Sequence, residues 1–534
     1  MNSKKNALNK NTYIPVIDLF AGPGGLGEGF SAYSNTDGNR PFDIRLSIEK
    51  DPYAHMTLQL RSFIRQFSSP PPEYYKLLAD TSSPLGKRVN DLFNLYPDES
   101  ENAVFEAWNA ELGKKGASRV RERIVDVLNK TEPWVLIGGP PCQAYSIAGR
   151  SRNKGKSNYI ADKDEKQFLY LEYLQIIAEH RPTVFVMENV KGLLSATIKN
   201  QKIFERICSD LNNPIKALKR EGRIIHVDDQ GSVPSRYRIY SLVTQKTGGN
   251  GFLQNFVVPM ERFGIPQKRH RLILLGIRED FCSMSNPSTL DFKEEVSAID
   301  VLDGLPKVRS GLSRAKDGSK EWVEHINKAV SRAWLQDNDE PVVQLMMKIL
   351  DEFDSLESDR GGEFVKYPST IKYKPDWYLD PRTEGVFNHT TRAHMGSDLY
   401  RYFFAACYGS IYGRSPVLSE FPMDLLPLHK NVGEALQGGF FDDRFRVQVA
   451  DKPATTVTSH LAKDGHSFIH YDPLQCRSLT VREVARLQTF PDNYFFCGPR
   501  TSQYVQVGNA VPPLLSKQIA RIVMKFLRDA GAVD

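Results

Sequence analysis

The chain has 534 residues, 40% hydrophobic and 25% charged, a globular composition with room for two to four domains. It holds no apolar run of about 18 residues, and its opening MNSKKNALNKN is basic without an apolar core, so neither a transmembrane helix nor a secretory signal is expected and a cytoplasmic location is. A net charge of +6 suits a nucleic-acid partner without specifying one, and six scattered cysteines with no Cys-x-x-Cys pair argue against a zinc site or disulfide framework.

Tyr13 to Leu19 predicts a first strand, followed by the turn DLFAGPGGLGEGF (Asp18 to Phe30). Within it Gly22, Gly24 and Gly27 satisfy Gly-x-Gly-x-x-Gly, and such glycines let the backbone turn sharply and approach a ligand closely. Ile44 to Glu49 predicts a second strand, whose Glu49 is spaced to accept hydrogen bonds from ribose hydroxyls. Alone, these features fit NAD and S-adenosyl-L-methionine equally, since both carry an adenosine. Residues 81–130 read as a charged, helix-forming interruption. Trp134 to Gly138 predicts a buried strand running into Gly139-Pro140-Pro141-Cys142-Gln143, where the prolines restrict the backbone ahead of the thiol. The polar, basic stretch that follows reads as a loop able to lie over a phosphate backbone.

Phe168 to His180 has helical spacing, Thr183 to Met187 and Leu272 to Ile277 read as buried strands, and 208–255 reads as a second interruption. This alternation predicts an α/β fold with a doubly wound, mostly parallel, Rossmann-like sheet, its ligand crevice at the carboxyl ends of the strands. Residues 1–279 are assigned to that first domain, completed by 500–534; the irregular 280–475 to a second, smaller domain; and 476–499 to a connecting segment. Arg477 to Asp492 returns to helical spacing, and Pro512 and Pro513 open a final helix.

Six segments resemble, in the same order, the motifs of the cytosine-C5 methyltransferase family of bacterial restriction-modification type. They are Asp18 to Phe30, GPPCQ at 139–143, Glu188-Asn189-Val190, FGIPQKRHR at 263–271, RSLTVREVARLQTFPD at 477–492 and QVGNAVP at 506–512. The resemblance implies transfer of a methyl group from S-adenosyl-L-methionine, which leaves as S-adenosyl-L-homocysteine, to carbon 5 of cytosine in duplex DNA. Cys142 is then the nucleophile that adds to carbon 6, and Glu188 holds or protonates N3. Asn189 positions that segment. Arg271, with Arg269, holds the cytosine O2 and a nearby phosphate. The cofactor residues carried over are Phe20 on the adenine, Glu49 on the ribose, Asp80 on the adenine amino group, Asn509 near the methionine part, and Gly22, Gly24, Leu26 and Pro140 around it. Because carbon 5 is hidden in a duplex, the resemblance also implies base flipping.

Residues 280–475 occupy the place of the family's target-recognition domain. Asp451 to Ser459 resembles a segment near its end, and the polar turn from His460 to His466 suits phosphate or base-edge contacts. Arg482, Glu483 and Arg486 are expected in structural ion pairs joining the domains. His389, His394, His460, His466 and His470 fit no standard metal spacing, so no metal is expected. The transfer-RNA-modifying members carry a shorter recognition region with a Cys-Phe-Thr tripeptide, absent here, which favours DNA. The expected partners are double-stranded DNA and a separately acting restriction endonuclease, with no membrane and a monomeric enzyme. The alternatives are an RNA cytosine-C5 methyltransferase and a DNA-binding homologue that has lost catalysis.

Overall fold

The computed structural model describes residues 13–113, 116–141, 169–198, 201–226, 234–245, 252–331, 335, 340–353, 359–427, 432–433 and 443–533. The main sheet uses β1 (Ile14–Leu19), β2 (Phe42–Glu49), β3 (Ala107–Asn109), β4 (Val135–Gly138), β5 (Val184–Val190), β6 (Tyr237–Ser241), β7 (Val257–Pro259) and β8 (His270–Arg278). Its order is β3-β2-β1-β4-β5-β8-β6, with β7 also paired to β8. The strands from β3 to β5 are parallel, and β8 runs antiparallel to β5, β6 and β7. This is the expected α/β sheet. The order reverses between β1 and β4, which puts a ligand-binding crevice beyond their carboxyl ends.

Alternation along the strands sorts side chains between two cores. Val16, Val135, Ile137, Val186 and Ile273 face one side; Ile17, Leu136, Phe185, Met187 and Leu272 face the other. Helices cover both faces: α1 (Gly25–Ser31), α2 (Pro52–Arg65), α3 (Ala117–Leu128), α4 (Leu169–His180), α5 (Ile203–Asn212) and, far along the chain, α6 (Pro513–Asp529). α6 packs on α1 so closely that a Cβ on Gly25 would stand 2.3 Å from Val511 O, and one on Gly29 2.4 Å from Ser516 Cβ. The Ser516 hydroxyl donates to Leu26 O at 2.6 Å across this contact.

The two interruptions are built into the sheet rather than set apart from it. Residues 81–130 supply edge strand β3 and α3, whose Val120 and Ile124 enter the core; 208–255 supply β6. A further core around Trp322, Phe353, Tyr402 and Phe403 is formed within 312–476. Residues 290–305 and 371–386, by contrast, bury Val301, Leu302, Tyr378 and Val386 in the core of the α1 face.

The expected helix over 477–492 is shorter, α7 (Val481–Leu487). Thr480 and Glu483 close a capping box at its start, and Thr489, at φ 64, ends it. Its charges are buried, and their pairs are local to the connecting segment rather than between the two expected domains: Arg477 with Glu483 at 2.6 and 2.7 Å, Arg486 with Asp492 at 2.6 and 3.0 Å. Arg482 donates to the carbonyls of Phe387, Pro491 and Tyr494 and stands 3.9 Å from the Asp492 carboxylate. No helix among the described residues is long and apolar enough to cross a membrane.

Candidate active site

At the switch point the chain leaves β1 through Phe20 at φ 57 and Gly22 at φ 58, left-handed conformations that make the turn abrupt. Glu49, at the end of neighbouring β2, closes it: Oε2 accepts the Gly22 N–H at 2.8 Å and Oε1 the Asp51 N–H at 2.7 Å. Each carboxylate oxygen keeps a further lone pair for a ligand hydroxyl. A Cβ on Gly22 would meet no atom within 4 Å, so the turn borders open space, and the half-buried Phe20 ring lies next to it in sequence. This cradle of an aromatic ring, a carboxylate and a bare glycine fits an adenosine.

Behind the turn, Tyr494 donates its hydroxyl to Pro23 O, and a Cβ on Gly24 would come within 3.0 Å of that hydroxyl. Asp18 is fully buried; its Oδ2 accepts the Gly27 N–H at 3.3 Å, its Oδ1 has no hydrogen-bond partner among the described residues, and burial pushes its pKa up to about 8.

β4 runs on into Gly139 and Pro140. Beside them β5 ends in Glu188-Asn189-Val190, where the Asn189 amide donates to Pro140 O at 3.1 Å. Glu188 packs against Gly139, since a Cβ there would lie 3.1 Å from its Oε2. On the far side Glu188 Oε1 meets Arg271 Nε at 3.2 Å, across the antiparallel pairing of β5 with β8. Burial raises the Glu188 pKa against the opposing pull of Arg271 and Arg269. A carboxyl whose pKa burial raises thus stands beside a guanidinium, next to the strand end that leads to Cys142. Cys142 itself and the basic stretch after it lie outside the described residues. The other five cysteines, Cys208, Cys282, Cys407, Cys476 and Cys497, are free thiols whose pKa values burial pushes upward.

Arg269 departs from its expected place. It is 1% exposed and donates to Val457 O at 2.6 Å, Gly508 O at 3.2 Å and Ala510 O at 3.1 Å, so it points into the protein as a positioning residue. Its neighbour Gln267 likewise takes the Val457 N–H at 3.0 Å and donates to Leu487 O at 2.9 Å. Together they tie the segment 454–458 and the end of α8 (Arg500–Asn509), with its exposed Asn509, to the base of β8.

Asp80 is not brought to the strand ends. It terminates the helix Pro72–Ala79, exposed, with Oδ1 accepting the Ser82 N–H at 3.0 Å. The residue at the carboxyl end of β3 is Asn109, which sequence reasoning missed; its amide donates to the carbonyls of Glu49 and Lys50 at 3.0 and 3.2 Å. Only the pairing of a three-residue strand reveals it. Leu26 is buried, with its carbonyl taken by Ser516. His389, His394, His466 and His470 all hold hydrogen bonds, for example His389 with Thr480 and Pro306 at 2.9 and 2.8 Å.

A family model described as C-5 cytosine-specific DNA methylase matches residues 98–250 and 252–525. The chain is 32% identical over 526 residues to the type II methyltransferase M.Bpa9945I of Bacillus paralicheniformis, covering 95% of this chain and 98% of that protein. It is 22% identical over 531 residues to the type II methyltransferase M.DdeI of Desulfomicrobium norvegicum, covering 97% and 90%. A crystal structure of a prophage-encoded DNA modification methyltransferase from E. coli aligns at 18% identity with a TM-score of 0.49, covering 96% of this chain and 99% of that one.

Proposed function

The chain belongs to the C-5 cytosine-specific DNA methylase family, and on that footing we propose that it methylates one cytosine in a short duplex sequence through a covalent adduct with Cys142. The observation that carries this reading is the Glu188–Arg271 pair held against Gly139, beside the strand that leads into Pro-Pro-Cys.

Carbon 5 of cytosine is a poor nucleophile. Addition of the Cys142 thiolate to carbon 6 converts the ring to an enamine that attacks through carbon 5. Glu188, with its raised pKa, donates to N3 as charge builds there, and Arg271 holds the O2 edge with its fork of donors. S-adenosyl-L-methionine supplies the methyl group when bound. Phe20 stacks on its adenine, Glu49 accepts from its ribose, and Gly22 and Gly24 let the backbone approach; Asn509 closes the methionine end. Loss of the carbon 5 proton then expels the thiolate and restores the ring. The target base must leave the stack to reach Cys142, as the geometry of a duplex requires. The type II relatives support a role as the modification partner of a restriction endonuclease.

Bisulfite sequencing of DNA from cells expressing the chain tests the activity. One short motif with protected cytosine is expected, and no protection in cells holding soluble protein would refute it. Cys142→Ser should abolish transfer while retaining cofactor binding; normal turnover in that variant would refute the adduct.

A further inference from the structure

We propose that Arg360, Arg392, Arg500 and Lys463 form a binding patch for phosphates of the DNA backbone. The inference rests on the DNA-methylating reading above and assigns residues to it that no family motif supplies.

Two guanidinium groups converge on one oxygen: Arg360 Nη2 and Arg500 Nη1 donate to Thr391 O at 3.1 and 2.5 Å. Arg392, next in the chain, donates to Ala462 O at 3.1 Å, and its guanidinium carbon lies 4.5 Å from the centre of the Tyr504 ring. Lys463, beside Ala462, is exposed. Like charges gathered this closely repel unless acids or an external anion offset them. Among the described residues, the acids beside them are already engaged. Asp317 is shared between Arg360 at 2.9 Å and Arg309 at 2.6 Å, and Asp464 is turned to the His466 N–H at 2.9 Å. Arg392 and Arg500 are instead anchored by neutral carbonyls.

The helix adds to the field. Arg500 is the first residue of α8, at the positive end of the helix dipole, where a cation is disfavoured, and the first turn holds no acid. Arg360 and Arg392 each keep a buried Nε without a hydrogen-bond partner among the described residues. Arg360 also lies flat on Gly311, where a Cβ would come within 2.5 Å of its guanidinium carbon. These side chains are therefore oriented in advance, as bidentate recognition of phosphate needs. The patch also adjoins the site. α8 runs from Arg500 to Asn509, about 13 Å at 1.5 Å per residue, and Ala462 follows the turn that packs against Gly508.

The test is duplex-DNA binding by fluorescence anisotropy between about 50 and 200 mM salt. Lys463→Gln should weaken binding and reduce the slope of log K against log salt by about 0.9, the signature of one lost phosphate contact. Arg500→Gln should do the same, whereas Arg500→Lys should keep most of the slope. Lys463 is exposed, so its variant should melt like the parent and report on binding alone. Wild-type affinity and slope in both Gln variants would overturn the patch while leaving DNA methylation standing. Failure of the unmodified protein to bind or methylate DNA would remove the functional reading, and the patch with it.

Discussion

Two arginines two positions apart do different work. Arg271 meets Glu188, while Arg269 directs its hydrogen bonds to the backbone carbonyls of Val457, Gly508 and Ala510. Arg269→Lys should therefore cost about 2–4 kcal/mol of stability in thermal or denaturant unfolding, because a single ammonium cannot reach three buried carbonyls. Arg271→Lys should leave stability within about 1 kcal/mol and lower the methylation rate, since Arg271 contacts Glu188 and the His270 carbonyl rather than three distant buried carbonyls, and an ammonium can keep one of those contacts but not the fork that would hold a base. Equal stability losses in the two variants would contradict this division. Glu188→Gln should cut the rate by roughly 10²- to 10⁴-fold, as loss of a general acid does, with DNA affinity retained. The sequence motif placed both arginines and Glu188 near one another, but it carries no information on which guanidinium turns inward. That depends on Val457 and Ala510, some 190 and 240 residues downstream.

At the level of elements, the strands and glycine turn around the site were legible because each leaves a local mark: period-two burial, a Gly-x-Gly-x-x-Gly turn, a proline pair. β3 leaves none. Three residues, Ala-Trp-Asn, have no periodicity to read, so a segment that completes the sheet reads as an interruption, and the adenine amino group is given to Asp80, which ends the helix Pro72–Ala79 and accepts from Ser82. The α1–α6 contact is similarly invisible locally. Its basis is Gly25 and Gly29, which let α6 and the residues ahead of it approach the backbone of α1. Gly25→Ala should destabilise the protein by about 1–3 kcal/mol through overpacking against Val511, and calorimetry should record it as a lower melting temperature.

For the molecule as a whole, buried titratable groups set opposing limits on stability. Burial pushes Asp18 up from 3.8 to about 8, so between those values the folded state holds a proton that the unfolded chain has lost, and stability falls as pH rises. Burial depresses His389 and His470 from 6.5 to about 4 and His394 to about 3. Below pH 6.5 the unfolded chain takes up protons that these folded rings refuse, so stability falls as pH drops. Each group contributes a slope of up to about 1.4 kcal/mol per pH unit. On the acid side the depressed histidines, His466 among them, outweigh Asp18 and the likewise raised Glu106 and Glu188; above 6.5 Asp18 leads the fall, and the buried thiols add to it near pH 9. Urea midpoints measured from pH 4 to 9 should therefore peak near pH 6.5, and Asp18→Asn should flatten the alkaline limb. A curve that climbs steadily to pH 8 would contradict the Asp18 assignment.

The packing of α6 on α1 also has a consequence in time. Leu26 and Ser516 are 490 residues apart in the chain. At ribosomal speeds of about 5–20 residues per second, α1 emerges roughly 25–100 s before its partner helix is made. Through that interval the small-residue face of α1 is uncovered and the glycine turn lacks the support behind it from Tyr494. A nascent chain therefore cannot hold that turn in its finished geometry, and the main sheet, begun first, is among the last parts of the protein to be completed.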